Sequence, residues 1–299
     1  MSMIRIGIIG SIKSAVLYMP VIDSIKDIEL KGLYDPFINI TDDAHTSELS
    51  IYARAETLLD EVDIICFSDN NINFKTISDT IKKAKHIILP YPFILNESEA
   101  DIFLKIAGEA GVKVHISLND YYHHVFSSAS DLVKNPLYIE SRILRNIDDE
   151  NLTFRNYDKI MYDILIILEL ARCDIKRVLT HNVPVFNQQP ELINIRIEFN
   201  NGCVANFVSD KLSNDLVHKY LFYQKGSLIN IDLLKQIVEL SESSETIKTI
   251  NLSSNDTLKE ELKSFIKCIQ DDAQPKISLQ NYLTTCQLIQ TIKNKTENN

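Results

Sequence analysis

A short apolar run, Ile4 to Ile9, leads directly into Gly10-Ser11-Ile12-Lys13-Ser14-Ala15. A dinucleotide-binding turn has the spacing G-x-G-x-x-G/A. Its first glycine makes the turn, its second lets the backbone approach a pyrophosphate, and its small third residue lets the following helix pack closely. Gly10 and Ala15 fill the first and third positions, while Ile12 stands at the second, where a branched side chain would crowd a diphosphate. Asp35 closes the next strand-like segment, where a carboxylate accepts hydrogen bonds from adenosine ribose hydroxyls and repels a 2′-phosphate. That chemistry favours NAD over NADP. Each feature also has a plainer reading, Gly10 as a tight strand-to-helix turn and Asp35-Pro36 as a strand-ending turn, and both readings stand at this point.

Other reactive residues form no comparable pattern. The five cysteines, at 66, 173, 203, 268 and 286, contain no C-x-x-C pair, which suits reduced thiols in a cytoplasm rather than disulfides or zinc. Cys66 reads as a small apolar filler in a buried strand. His123 and His124 are adjacent, so their side chains diverge on a helix or a strand, and no metal site is expected. The sequence contains no P-loop, nucleophile elbow or paired-acid motif. Asp148-Asp149-Glu150 reads as a solvated loop.

The elements that must position these residues alternate in period. Strands are expected at 4–9, 28–34, 62–67, 86–89 and 112–118, with helices at about 14–25, 73–84 and 97–110, which is the order of a doubly wound parallel sheet. Beyond residue 120 the pattern changes. A strand at 138–145, an apolar helix at 159–170 and a strand at 174–182 precede a hairpin, Ile193 to Phe199 and Cys203 to Ser209, around Asn200-Asn201-Gly202. Strands at 216–223 and 227–233 and helices at 258–271 and 279–293 follow. The fold class is therefore α/β: a parallel nucleotide-binding domain over 1–120, then an α+β domain over 121–299 with a large, mostly antiparallel open sheet. The closing helices are free to pack back on the first domain. An open sheet leaves a face to cover, which predicts a homodimer or higher homo-oligomer.

Composition sets outer limits. The chain has 299 residues, 45% of them apolar and 24% charged, and a net charge of −10, which excludes a disordered chain and argues against a general nucleic-acid binder. No apolar run reaches membrane-spanning length, and the N-terminus lacks a signal-peptide layout, so a cytoplasmic protein with no membrane partner is expected.

Val62-Asp63-Ile64-Ile65-Cys66-Phe67-Ser68-Asp69-Asn70 resembles the strand-plus-loop "VDAVVIATPN" of the Gfo/Idh/MocA family of nicotinamide-dependent sugar oxidoreductases. His86 to Phe93, followed by Asn96-Glu97-Ser98-Glu99-Ala100, is similar to that family's "HVLCEKPL…T-x-E-E-A", and Phe199-Asn200-Asn201-Gly202 to its "F-x-N-G". The closing segment with Phe265, Pro275 and Ser278 is similar to its tail. The resemblance implies a Rossmann domain that holds the cofactor on Gly10, Ser11, Ile12, Asp35, Ser68 and Asn70. It also implies a second domain that holds a sugar, cyclitol or related polyol.

The departures fall on the chemistry. Tyr91 replaces the lysine of E-K-P, Asn73 stands where a histidine follows the loop asparagine, and Tyr121-Tyr122 replaces an Arg-aromatic pair. Asp158-Lys159-Ile160-Met161-Tyr162 matches D-x-G-x-H with tyrosine for histidine. Positions i and i+4 share a helix face, so Asp158 and Tyr162 can act together on a substrate hydroxyl. Equally, Tyr162 reads as a core aromatic and Asp158 as a helix-start acid. Two functions follow. One is an NAD-dependent oxidoreductase with an altered site built on Tyr162, Asp158 and Tyr91. The other is a non-catalytic nucleotide- or sugar-binding relative acting as a sensor or partner subunit.

Overall fold

The computed structural model describes residues 3–38, 44–45, 49–69, 73–93, 95–118, 128–145, 156–186, 191–242, 247–251 and 257–297. The chain divides into two compact units, residues 1–119 with 256–283, and residues 120–255 with 284–299. The sequence division into 1–120 and 121–299 differs from this mainly in segment 256–283, which belongs to the first unit.

In the first unit, β1 (Ile4–Ile9), β2 (Ile28–Tyr34), β3 (Ala44–His45), β4 (Ser50–Ile51), β5 (Ile64–Phe67), β6 (His86–Pro90) and β7 (Val114–Ser117) form one sheet in the order β3-β4-β2-β1-β5-β6-β7. Every neighbouring pair is parallel except β3 with β4. The central strands β1 and β5 are short, nearly continuous apolar runs, as expected where a parallel sheet is covered on both faces. The crossover helices are α1 (Ile12–Asp23), α2 (Ala55–Glu61), α3 (Phe74–Lys82) and α4 (Glu97–Glu109). The strand order reverses between β1 and β5, which puts the switch-point crevice at the carboxyl end of β1.

Polar contacts set the register at the opposite end. The Arg5 amide and Nε donate to Asp63 Oδ2 at 2.9 and 3.1 Å, and Nη2 donates to Oδ1 at 2.8 Å. These bonds hold the Asp63 carboxyl below its ordinary pKa. A capping box starts α4: Asn96 Oδ1 accepts from the Glu99 amide at 2.9 Å, and Glu99 Oε2 accepts from the Asn96 amide at 3.2 Å. The acid read as part of a family motif thus has a local reason to be there.

Helix α6 (Thr257–Gln270) joins this unit through its apolar face, where Leu262, Phe265 and Ile266 pack with Ile6, Ile8, Ala15 and Ile22. It is also tied by Glu261, whose Oε1 lies 2.7 Å from His115 Nε2 and accepts from the Leu118 amide at 3.2 Å, while Oε2 accepts from Ser117 Oγ at 2.9 Å. A buried carboxylate is tolerated because each of its oxygens is satisfied.

The second unit is built on an eight-stranded sheet in the order β15-β14-β13-β12-β8-β11-β10-β9. Its strands are β8 (Pro136–Leu144), β9 (Ile175–Val183), β10 (Leu192–Phe199), β11 (Val204–Asp210), β12 (Val217–Gln224), β13 (Ser227–Asp232), β14 (Ile237–Ser241) and β15 (Ile247–Asn251). Only β8 with β11 is parallel. The hairpin at Asn200–Gly202 forms as its turn residues require, with Gly202 at φ +86°. Strands β14 and β15 had no sequence counterpart, β15 being exposed along its whole length. Helix α5 (Asn156–Ala171) buries nearly every side chain from Ile160 onward, and α7 (Leu279–Glu297) closes the chain. Among the described residues, no helix is long and apolar enough to cross a membrane. None of the five cysteines is in a disulfide.

Candidate dinucleotide site

The turn between β1 and α1 depends on Gly10. Its φ is +153°, and a Cβ there would overlap Ser68 Oγ and lie 2.6 Å from Asp69 Oδ2. Side chains of the loop after β5 therefore lie directly over the glycine, and a Cβ here would require them to turn aside. Helix α1 begins at Ile12, two residues earlier than its sequence periodicity indicates, because the turn is completed in Gly10 and Ser11 alone.

Ile12 is half-buried and packs against the apolar core formed by Ile6, Ile8, Ala15 and Leu33. Asp35 is 4% exposed; its Oδ2 accepts from the Ile12 amide at 3.1 Å and its Oδ1 from the Phe37 amide at 2.9 Å. Each carboxylate oxygen keeps a second lone pair, so ribose hydroxyls remain acceptable partners. Ser68 Oγ is buried and has no hydrogen-bond partner among the described residues. A glycine cradle, an acid at the end of β2 and an unused hydroxyl at the β1/β5 switch point fit an adenine dinucleotide in fold and in donor set.

A further residue reaches this turn from the loop after β5. Asp69 accepts from Ser11 twice, its Oδ2 from the amide and its Oδ1 from Oγ at 3.2 Å. The only sequence signal was an acid at the carboxyl end of a central strand, where the chain partner of that acid is invisible.

The expected catalytic positions are distributed over both units. Tyr91 belongs to the first unit and is 9% exposed, with its ring edge-on to Tyr282 at 6.1 Å and its bond to Pro92 cis. Tyr282 pins the same loop, since its Oη accepts from the Phe93 amide at 2.5 Å and donates to the Phe93 carbonyl. Asn73 caps α3, its Oδ1 accepting from the Thr76 amide at 2.8 Å and from Thr76 Oγ1 at 2.9 Å. Tyr162 and Asp158 lie on α5 in the second unit, and Tyr162 is 4% exposed. Immediately after it, Asp163 is fully buried and accepts from Tyr220 Oη and from Ser141 Oγ at 3.4 Å, with His218 Nε2 at 3.0 Å. Asn70, residues 121–124 and residues 148–150 lie outside the described residues, as does the side chain of Asp158.

Cys66 is fully enclosed, and burial pushes its thiol well above the ordinary range, so it fills space and is not a nucleophile. Among the described residues, no three His, Cys, Asp or Glu side chains are grouped to hold a metal ion.

Residues 4–118 match the model of a family described as an oxidoreductase family with an NAD-binding Rossmann fold, GFO_IDH_MocA. No curated protein sequence matches the chain. Solved structures match over nearly its full length. UDP-N-acetylglucosamine 3-dehydrogenase from Acidithiobacillus ferrooxidans superposes with a TM-score of 0.79 at 16% identity, covering 98% of both chains. An oxidoreductase from Agrobacterium radiobacter, solved with NAD+, L-tartaric acid and magnesium, gives a TM-score of 0.77 at 11% identity over 99% of this chain and 97% of that one. Biliverdin reductase from Synechocystis sp. PCC 6803, solved with biliverdin and NADP+, gives 0.67 at 12% identity over 98% and 99%. At these identities the likeness is one of fold.

Proposed function

We propose that the chain, whose residues 4–118 match the model of the Gfo/Idh/MocA oxidoreductase family with its NAD-binding Rossmann fold, is an NAD-dependent oxidoreductase acting on a ring hydroxyl of a sugar, cyclitol or sugar nucleotide. The observation that carries this reading is the pairing of the Gly10 turn with buried Asp35 at the β1/β5 switch point. A carboxylate at that place favours NAD over NADP, because a 2′-phosphate would bring like charge beside it. The nucleotide-sugar dehydrogenase among the structural relatives supports a sugar-type substrate.

When bound, the nicotinamide supplies the hydride chemistry. The chain's own residues hold and discriminate. The backbone at Gly10 and Ser11 would approach the phosphates, Asp35 would take the adenosine ribose, and Ser68 stands on the loop beside them. On the substrate side, Tyr162 handles the hydroxyl proton with Asp158 one helical turn before it, and Tyr91 stands where the family has lysine. A phenol is a weaker base than an activated lysine near neutral pH, so slow turnover is expected. We further propose that the protein is cytoplasmic and pairs with a second copy through the second unit's sheet, where Val208, Val217 and Leu221 are half-exposed.

A second reading, a binding protein without turnover, is favoured by Asn73, whose side chain is taken up as a helix cap. Titration with NADH, followed by nicotinamide fluorescence, should give saturable binding below millimolar concentration; its absence overturns the nucleotide reading altogether. A panel of sugars, inositols and sugar nucleotides then separates the two, and for any substrate turned over, Tyr162→Phe should lower kcat by about 100-fold with NADH affinity unchanged.

A further inference from the structure

We propose that Asp69 is an internal competitor for the phosphate turn: its carboxylate takes the Ser11 amide and the space above Gly10 that a diphosphate would use, so phosphate-bearing ligands bind only by displacing it. The inference rests on the nucleotide-binding reading above. Its basis is geometric. Asp69 Oδ2 accepts from the Ser11 amide and lies 2.6 Å from where a Gly10 Cβ would stand, and Oδ1 accepts from Ser11 Oγ at 3.2 Å. The carboxylate thus sits in the cradle that the missing side chain leaves. The next amide, of Ile12, is held by Asp35 Oδ2 at 3.1 Å.

Two consecutive amides at the start of the twelve-residue helix α1 therefore each carry a carboxylate. Backbone N–H groups and the helix dipole make such a terminus attractive to an anion. Here that attraction is already used by the protein's own side chains, and an incoming diphosphate meets like charge at close range in a partly buried site. Lys13, the one basic residue between Gly10 and Ala15, is exposed. Ser68 Oγ, buried beside the same spot and without a partner among the described residues, remains to donate to a phosphate oxygen once the Asp69 side chain turns aside. Asp35 differs from Asp69 in this respect, because its carboxylate serves the ribose and has no need to leave.

The experiment compares the wild-type chain with Asp69→Ser and Asp69→Asn for three ligands: NADH, ADP-ribose and adenosine, by calorimetry and, for NADH, by nicotinamide fluorescence. Removing the charge should tighten NADH and ADP-ribose by about tenfold or more, with a smaller gain for Asp69→Asn, which keeps an acceptor oxygen. Adenosine, which lacks phosphate, should bind all three proteins alike. Equal affinities of NADH for wild type and both variants would overturn the competition and leave the nucleotide reading intact. An equal gain for adenosine would also overturn it, by showing a loosened loop in place of a relieved charge. Weaker binding by the variants would show that Asp69 supports the turn, again against the proposal. Failure of every ligand with all three proteins would overturn both this inference and the reading beneath it. Far-UV circular dichroism checks folding, and should Asp69→Ser unfold, the near-isosteric Asp69→Asn decides.

Discussion

His218 Nε2 stands 3.0 Å from Oδ1 of Asp163, a fully buried carboxylate 55 residues away in sequence. Tyr220 and Ser141 donate to the same carboxylate, so α5, β8 and β12 meet on one charge. Asp163→Ala leaves these buried groups without an acceptor and opens a small void. We expect it to destabilise the second unit by about 3 kcal/mol, read from urea unfolding, with Asp163→Asn intermediate. A loss of less than about 1 kcal/mol would show that water replaces the carboxylate there.

His86 gives the first unit a pH dependence. Burial, then the positive charge of Lys113, lowers its pKa from 6.5, with Asp63 opposing. Its Nδ1 accepts from the Lys113 amide at 3.1 Å, a bond that a proton on Nδ1 would break. The unfolded chain therefore binds a proton first, so this contribution is whole above pH 6.5 and is lost as pH falls through the folded value. The unfolding midpoint of the wild type should fall more steeply below pH 6.5 than that of His86→Gln, which can still accept the amide. Parallel curves would remove His86 from the account.

Gly10→Ala tests the turn itself. Rotation of Ser68 can relieve the overlap with a new Cβ, but φ +153° stays unfavourable for alanine. A loss of about 1–2 kcal/mol in the first unit and weaker NADH binding are expected, by thermal unfolding and by titration. An alanine variant with unchanged stability would mean that the loop re-forms at a different φ.

The proposed dimer rests on the alternation along β12, where Tyr220 and Phe222 are buried while Val217, Lys219 and Leu221 face the other way and are half-exposed. Light scattering should report twice the chain mass of 34.2 kDa, and Leu221→Arg should halve it by placing a charge in the middle of the face. A wild-type protein monomeric at micromolar concentration would contradict the pairing.

Much of this molecule is legible in its amino-acid sequence alone. The runs at Ile4–Ile9 and Ile28–Tyr34, the hairpin around Gly202 and the apolar helix ending near Ala171 all form where period and turn chemistry place them. These signals are local: a side-chain repeat of two or 3.6, a residue that tolerates positive φ, and a cap such as Asn96 with Glu99 are complete within a few residues. The Gly10 turn and Asp35 belong to this class, because their meaning depends only on standing at the ends of the first two strands.

Tertiary structure decided the rest. Ser11 and Asp69 are 58 residues apart, as are Arg5 and Asp63, and only the adjacency of β1 and β5 brings them together. The same holds for α6, whose Glu261 finds His115 across 146 residues and so assigns a late helix to the first unit. Ile12 reads from its type alone as a side chain that crowds a diphosphate; its packing against the core, and the Asp69 carboxylate on the neighbouring Ser11 amide, emerge only in the folded chain. A sequence records which groups are present and their local geometry; which distant partner satisfies a buried amide or carboxylate is settled only when the chain closes and water is excluded.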